Sequence, residues 1–311
     1  MNKQALRADI LLLITACIWG FAFTAQRSAM NDLGPFTFNG IRFTLGSLSL
    51  VPLVIFRLRS PERHIDRTTG RPLTVKTFTA CSLLAGGCLF IAATLQQIGI
   101  IYTTAGNSGF ITGLYVVLTP IFGIFLGKRT GLPTWIGAVF TLTGLFFLSV
   151  ASQIFGRDQQ EPFRFNPGDL LTAVSALFWT FHVLLIDSLV KRVDPVALSS
   201  GQFIVCGILS MAAAFGLETS SPEAFLRAIV PILYGGLASV GIAYTLQAVG
   251  QKYAPPAHAT ILLSLEGVFA AIGGFIILSE PLGGWTLLGF ALMLCGMLAT
   301  QWDVIVGGRK K

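Results

Sequence analysis

Charge is what this chain lacks most. Asp, Glu, Lys and Arg make up only 11% of its 311 residues, against roughly 25% in an ordinary soluble domain, so most of its surface has to face something other than water. Histidine and cysteine are sparse too. His64, His182 and His258 are scattered, and Cys17, Cys81, Cys88, Cys206 and Cys295 fall inside apolar stretches with no pair at metal-ligand spacing. That argues against a zinc site and leaves the thiols as small, soft packing groups. Neither a Walker-type phosphate loop nor a nucleophile elbow occurs. ATP-driven pumping and hydrolase chemistry therefore have no support here, and no cofactor is expected.

What is present is apolar sequence in long runs, with hydrophobic residues at 53% of the chain. Crossing a bilayer as a helix takes about 20 apolar residues at 1.5 Å each. Candidate spans lie at 8–27, 36–57, 77–98, 104–126, 131–152, 168–190, 196–217, 226–248, 257–278 and 283–305. A membrane barrel would need alternating apolar and polar residues, and Ile10–Ile14 and Phe140–Val150 do not alternate. The expected fold class is an all-α membrane protein with ten transmembrane helices.

The spans come in two matching sets. Asp9, Trp19, Pro35 and Phe43 recur as Asp169, Trp179, Pro195 and Phe203, 160 positions on. Thr94, Leu95, Gln96, Gly99 and Tyr102 recur as Thr245, Leu246, Gln247, Gly250 and Tyr253, 151 on, and Gly137 and Gly144 match Gly289 and Gly296. The expected units are 9–150 and 169–302. Five crossings are odd, so the second unit is expected upside down relative to the first, the architecture of secondary transporters.

Basic residues set the expected orientation. With the N-terminus cytoplasmic, the inner segments hold Lys3, Arg7, Arg57, Arg59, Arg63, Arg67, Arg71, Lys76, Lys128, Arg129, Lys191, Arg192, Lys252, Arg309, Lys310 and Lys311, sixteen of 21. The outer segments hold Arg27, Arg157, Arg164 and Arg227, and Arg42 lies within a span. This is the positive-inside pattern with both termini cytoplasmic. The net charge of +7 then reports topology and contact with anionic lipid, not nucleic-acid binding. Lys3 and Arg7 before an apolar run look like a signal peptide, but the matching span at 168–190 lies mid-chain, so the first span is expected to be retained.

Several stretches resemble one family. They are Ala16-Cys17-Ile18-Trp19-Gly20-Phe21, Arg42-Phe43, Gln96-Gln97-Ile98-Gly99, Thr103-Thr104-Ala105-Gly106-Asn107, Ser264-Leu265-Glu266 and Leu278-Ser279-Glu280-Pro281-Leu282. In this order, from about 9 to 302, the chain resembles ten-helix members of the drug/metabolite transporter superfamily with two EamA domains. The family often has proline after the glutamate of the ninth span, where this chain has Gly267, so no proline kinks that helix there. The resemblance implies efflux of small organic metabolites (amino acids, sugars, nucleotide sugars or drugs) from a bacterial inner membrane. It also implies a cavity lined by spans one, three, four, six, eight and nine.

Polar residues inside the spans are the candidates for cargo binding or coupling. Glu266 sits about 14 Å deep at 1.5 Å per residue, where intramembrane acids mark ion or substrate pathways. It reads as a proton-coupling or amine-binding group, or as a structural ion pair. Arg42, about 10 Å from the outer boundary by the same rise, reads as a carboxylate or phosphate fork, a partner for Glu266, or a snorkelling cation. Gln96, Gln97, Asn107, Thr112, Tyr115, His182, Tyr244 and Gln247 add hydrogen-bonding capacity, either as helix glue or as cavity lining. Trp19 and Trp179 lie deeper than interfacial tryptophans usually do, which fits an aromatic floor or plain packing. The expected partners are a small-molecule substrate, membrane lipid and, through Glu266, protons, in a monomer or a homodimer. An intramembrane enzyme acting on lipid or isoprenoid would need a paired acid and base, and no partner for Glu266 is evident in the sequence. A static channel is the other alternative.

Overall fold

Lipid offers backbone groups no hydrogen bonds, so a spanning chain must satisfy them within helices. In the computed structural model, which describes residues 3–58, 73–127, 130–147, 166–280 and 283–307, every regular element is helical and no strand occurs among those residues. Helix α1 is Lys3–Ala29, α2 Pro35–Leu58, α3 Val75–Tyr102, α4 Ala105–Thr112, α5 Tyr115–Phe125 and α6 Leu132–Phe146. Then follow α7 Pro167–Leu189, α8 Pro195–Leu217, α9 Pro222–Arg227, α10 Ile229–Leu233, a π-helical segment Tyr234–Tyr244, α11 Thr245–Gln251, α12 Pro256–Leu263, α13 Glu266–Leu278 and α14 Gly284–Gly307. Eight helical stretches among the described residues are long and apolar enough to cross a membrane, which makes this a multi-pass membrane protein. The expected fifth and tenth spans are helical as α6 and α14. Arg59, Arg63, Arg67, Arg71, Lys128, Arg129, Arg157, Arg164, Arg309, Lys310 and Lys311 lie outside the described residues.

Local chemistry sets the helix starts. Pro167, Pro195 and Pro256 occupy first helical positions, where the missing N–H costs nothing. Ahead of two of them, Asn166 accepts from Gly168 N and Asp194 from Val196 N and Ala197 N. The polarity of the whole is inverted relative to a soluble protein. Phe125 and Phe215 are 81% and 84% exposed, while Phe43, Phe203, Tyr115, Trp179 and Tyr244 form the central core.

Three of the expected spans are not single α-helices. The fourth and ninth are each interrupted at the same matched point, α4–α5 at Gly113-Leu114 and α12–α13 at Ser264-Leu265, 151 positions apart. At both, the ladder shortens to bonds spanning three residues: Leu114 N to Ile111 O and Val116 N to Gly113 O in one, Leu265 N to Leu262 O and Gly267 N to Ser264 O in the other. Such 3₁₀ turns inside a helix are a common place for functional hinges or strain. Proline is not needed for the interruption, since Gly267 follows Glu266. The eighth span begins later than expected, at Ile229, and widens into the π-segment, where Gly235, Gly236 and Gly241 leave room for α2.

Contacts between helix ends define two ends of the bundle. At the near end, where α1 starts, His258 pairs with Asp9 and Arg57 with Asp194. At the far end, Arg227 pairs with Asp32, and Thr103 donates to Asp169 at 2.6 Å. The Glu218 carboxylate there accepts from Phe36 N and Thr37 N at 2.9 and 2.7 Å. Thus α1 starts at the near end and its match α7 at the far end. Matched glycines also meet: a methyl on Gly144 would lie 2.7 Å from Gly289 O, and one on Gly296 2.7 Å from Gly137 O, so α6 and α14 approach nearly backbone to backbone.

Candidate functional site

Where the interrupted helices cross, the bundle encloses a central cavity. Its walls come from α1 (Trp19, Phe23, Gln26), α2 (Arg42), α3 (Gln96), α4 (Thr112) and α5 (Tyr115). Across from these stand α7 (Trp179, Val183), the eighth span (Ser239, Tyr244, Gln247), Leu263 of α12 and Glu266 of α13. The expected lining spans are all there, and α2 joins them through Arg42. The space between its atoms is about 450 Å³, counted with the solvent at its mouth, and it is so narrow that only one or two waters fit; a metabolite would need the walls to part.

Most of the lining comes in matched pairs, Trp19 with Trp179, Phe23 with Val183, Gln96 with Gln247, Thr112 with Leu263, and Tyr115 with Glu266. The last pair touches: Tyr115 OH donates to Glu266 Oε1 at 2.8 Å, joining the first residues of the two helices that restart after the 3₁₀ turns. Glu266 is 3% exposed and is the first residue of α13.

Arg42 is 1% exposed. Its Nε donates to Asn39 Oδ1 at 2.9 Å, and Asn39 Nδ2 donates in turn to Ala93 O at 3.3 Å. The guanidinium carbon lies 5.3 and 4.9 Å from the ring centres of Phe38 and Phe43. Among the described residues no ion pair joins Arg42 to Glu266, because each has its own local partner. They share a cavity without sharing a bond. Arg42 does not snorkel: its neighbours hold it inside the bundle.

The aromatic and amide groups complete the walls. Trp19 packs edge-on against Tyr244, with ring centres 4.5 Å apart, and Trp19 Nε1 donates to Ser239 O at 3.3 Å. Gln96 Nε2 donates to Thr112 Oγ1 at 3.1 Å. Gln97 faces elsewhere, donating to Gln26 O. Trp179 Nε1 and Gln26 Oε1 are buried without a hydrogen-bond partner among the described residues, and such groups are costly unless something else satisfies them.

Two more candidates, like Gln97, lie outside the cavity. His182 is buried behind the aromatic wall, with Nε2 2.8 Å from Gln202 Oε1 and its ring edge-on to Trp179 and Tyr244. Asn107 sits in the first turn of α4 near the far end, its backbone N–H bonded to Thr104 Oγ1. Gln26, Ser239 and Asn39 are polar residues that sequence reasoning passed over. Spacing marks two of them, since Gln26 follows Trp19 by two helical turns and Asn39 precedes Arg42 by one. Ser239 reaches the cavity through the π-segment, which leaves no such trace.

Comparison with known proteins agrees on one family. The model of the EamA-like transporter family matches residues 6–150 and 166–301, so the chain belongs to that family. An uncharacterized transporter of Archaeoglobus fulgidus is 30% identical over 95% of this chain and 86% of its own. The uncharacterized transporter YoaV of Bacillus subtilis is 22% identical over 92% and 94%. A WAT1-related protein of Arabidopsis thaliana is 20% identical over 97% and 91%. A solved crystal structure, 18% identical, superimposes with a TM-score of 0.72 over 98% of this chain and 99% of the other, a likeness of fold alone.

Proposed function

We propose that this member of the EamA-like transporter family is a secondary transporter that exports small organic metabolites, amino acids or similar zwitterions, across a bacterial inner membrane. Ten spans would form two inverted five-helix units, 9–150 and 169–302, with both termini cytoplasmic. The cavity where the interrupted helices cross would open to one side at a time. The protein would act as a carrier, not an enzyme.

One observation carries the reading: a buried cation and a buried acid line the same cavity without pairing. Burying two charges apart is expensive, and a matched counter-charge offsets the cost. A zwitterionic cargo supplies both, its carboxylate meeting Arg42 and the unpartnered Trp179 N–H, its ammonium meeting Glu266. Glu266 would also exchange a proton, with the Tyr115 hydroxyl holding it at the crossing point. Matched 3₁₀ turns give each unit one hinge, as rocking about a central site requires.

The test is flux of labelled amino acids in proteoliposomes, with and without an imposed pH gradient. Saturable flux with counterflow supports the carrier, and pH dependence that disappears in Glu266→Gln supports the proton role. Flux without saturation or counterflow would point to a channel, and none above empty liposomes would reject amino acids as cargo.

A further inference from the structure

The two ends of the bundle are not packed alike. At the far end α13 is wedged between α1 and α4. A methyl on Gly20 would lie 2.1 Å from Phe269 Cβ, one on Gly109 2.6 Å from Ala270 Cβ, and one on Gly273 2.6 Å from Thr24 Oγ1. The positions matching Gly273 and Thr24 at the near end are Phe122 and Leu184. These two line an open apolar groove between α3, α5 and α7, whose walls include the 81% exposed Phe125. The same seam is packed through glycines at the far end, whereas at the near end it is made by side chains, Phe122 packing edge-on against Phe181 with ring centres 5.0 Å apart.

A carboxylate fastens the far end. Glu280 follows α13, and its Oε1 and Oε2 accept from Ala105 N and Gly106 N of α4 at 3.0 and 3.3 Å. The chain turns back to make this contact through Ser279, which takes a left-handed conformation at φ 57°, while Glu280 N donates to Gly274 O at 3.0 Å. Gly274 leaves the space, since a methyl there would come 2.3 Å from Glu280 Oε2. The residue matching Glu280 in the first half is Lys128, which cannot accept from backbone N–H groups.

We infer that Glu280 is the strap of a far-end gate: it ties α13 to α4 in the closed state and lets go when the cavity opens away from the N-terminus. The inference builds on the alternating-access reading but needs no particular cargo. Both carboxylate bonds come from backbone N–H groups at the start of α4, buried here, which water can take over once α13 and α4 part. The strap can therefore be released without stranding a buried donor, which suits a contact made and broken in each cycle.

The experiment places a reporter thiol in the cavity as Gln26→Cys and labels it with a membrane-impermeant maleimide in vesicles of each orientation, subtracting the labelling of the parent protein. The reporter protein should label poorly from the far side. Adding Glu280→Ala should raise far-side labelling several-fold. Gly274→Ala, which crowds the carboxylate without removing it, should act in the same direction and carries the test if Glu280→Ala fails to insert. Equal labelling from both sides before any gate substitution, or no far-side rise in an inserted gate variant, would overturn the inference. Labelling requires no transport, so failure to find flux and failure of the strap are separate results.

Discussion

The two halves of the chain furnish the cavity with nearly the same frame and different charges. Each contributes a tryptophan, Trp19 or Trp179, a glutamine, Gln96 or Gln247, and a residue that restarts a helix after a 3₁₀ turn, Tyr115 or Glu266. The first half alone has Arg42, where the second has Gln202, and the second alone has the acid, where the first has a phenol. Matching residues build the walls and turns; mismatched ones set a cation on one side and an acid on the other. A site of two identical halves would hold its cargo equally well either way round, whereas this one has a cationic and an acidic side.

The largest expected effect comes from erasing that mismatch. Arg42→Gln gives the first half the residue the second already has and removes a charge-assisted contact of about 1.5–3 kcal/mol. Saturable flux should fall by roughly 10- to 100-fold at low cargo concentration, with the protein still inserted; unchanged flux would mean Arg42 serves packing against Phe38 and Phe43. Next comes Glu266→Gln, which keeps an acceptor for the Tyr115 hydroxyl but cannot exchange a proton. Flux should lose its dependence on an imposed pH gradient; retention of that dependence would leave Glu266 as a structural partner of Tyr115.

Smaller effects test the tight packing of α1 against α13. Gly20→Ala places a methyl against Phe269, an overpacking expected to cost about 1–3 kcal/mol and to lower the unfolding temperature in detergent. Gly87→Ala, with nothing within 4 Å of the added methyl, should leave it unchanged or slightly raised. The smallest effect sharpens another contrast between the halves. The second half caps α8 with its own Asp194, whereas the matching position before α2 is Gly34, and α2 takes its cap from Glu218 at the end of α8. Glu218→Ala should cost about 1 kcal/mol, typical for loss of a helix N-cap. Asp194→Ala should cost more, because it also frees Arg57. Equal losses would show that the Arg57 pair adds nothing.

Much of the frame was legible in the chain. Scarce charge and apolar runs gave the membrane helices, and most bounds fell within a few residues because prolines and Asn/Asp caps punctuate the starts. Trp19 with Trp179 and Gln96 with Gln247 were legible as matched pairs through their spacing, and all four line the cavity. The Tyr115–Glu266 contact was not, although both residues stood out singly; it needs the two helices to be interrupted at the same depth. His182 read as a possible cavity group because hydropathy says nothing about which layer of a bundle a helix face meets. Gln202 claims its ring nitrogen instead.

By itself, the sequence determined that this is a multi-pass membrane protein with two matched sets of spans, because burial in lipid is decided residue by residue and the matching is written in the order of residues. Only the tertiary structure decided which polar groups share the cavity, that Arg42 and Glu266 stand apart within it, and how each end is packed. Those depend on distances between helices far apart in the chain, set by how closely backbones approach at glycines such as Gly20 and Gly109 and by where a carboxylate such as Glu280 finds free N–H groups.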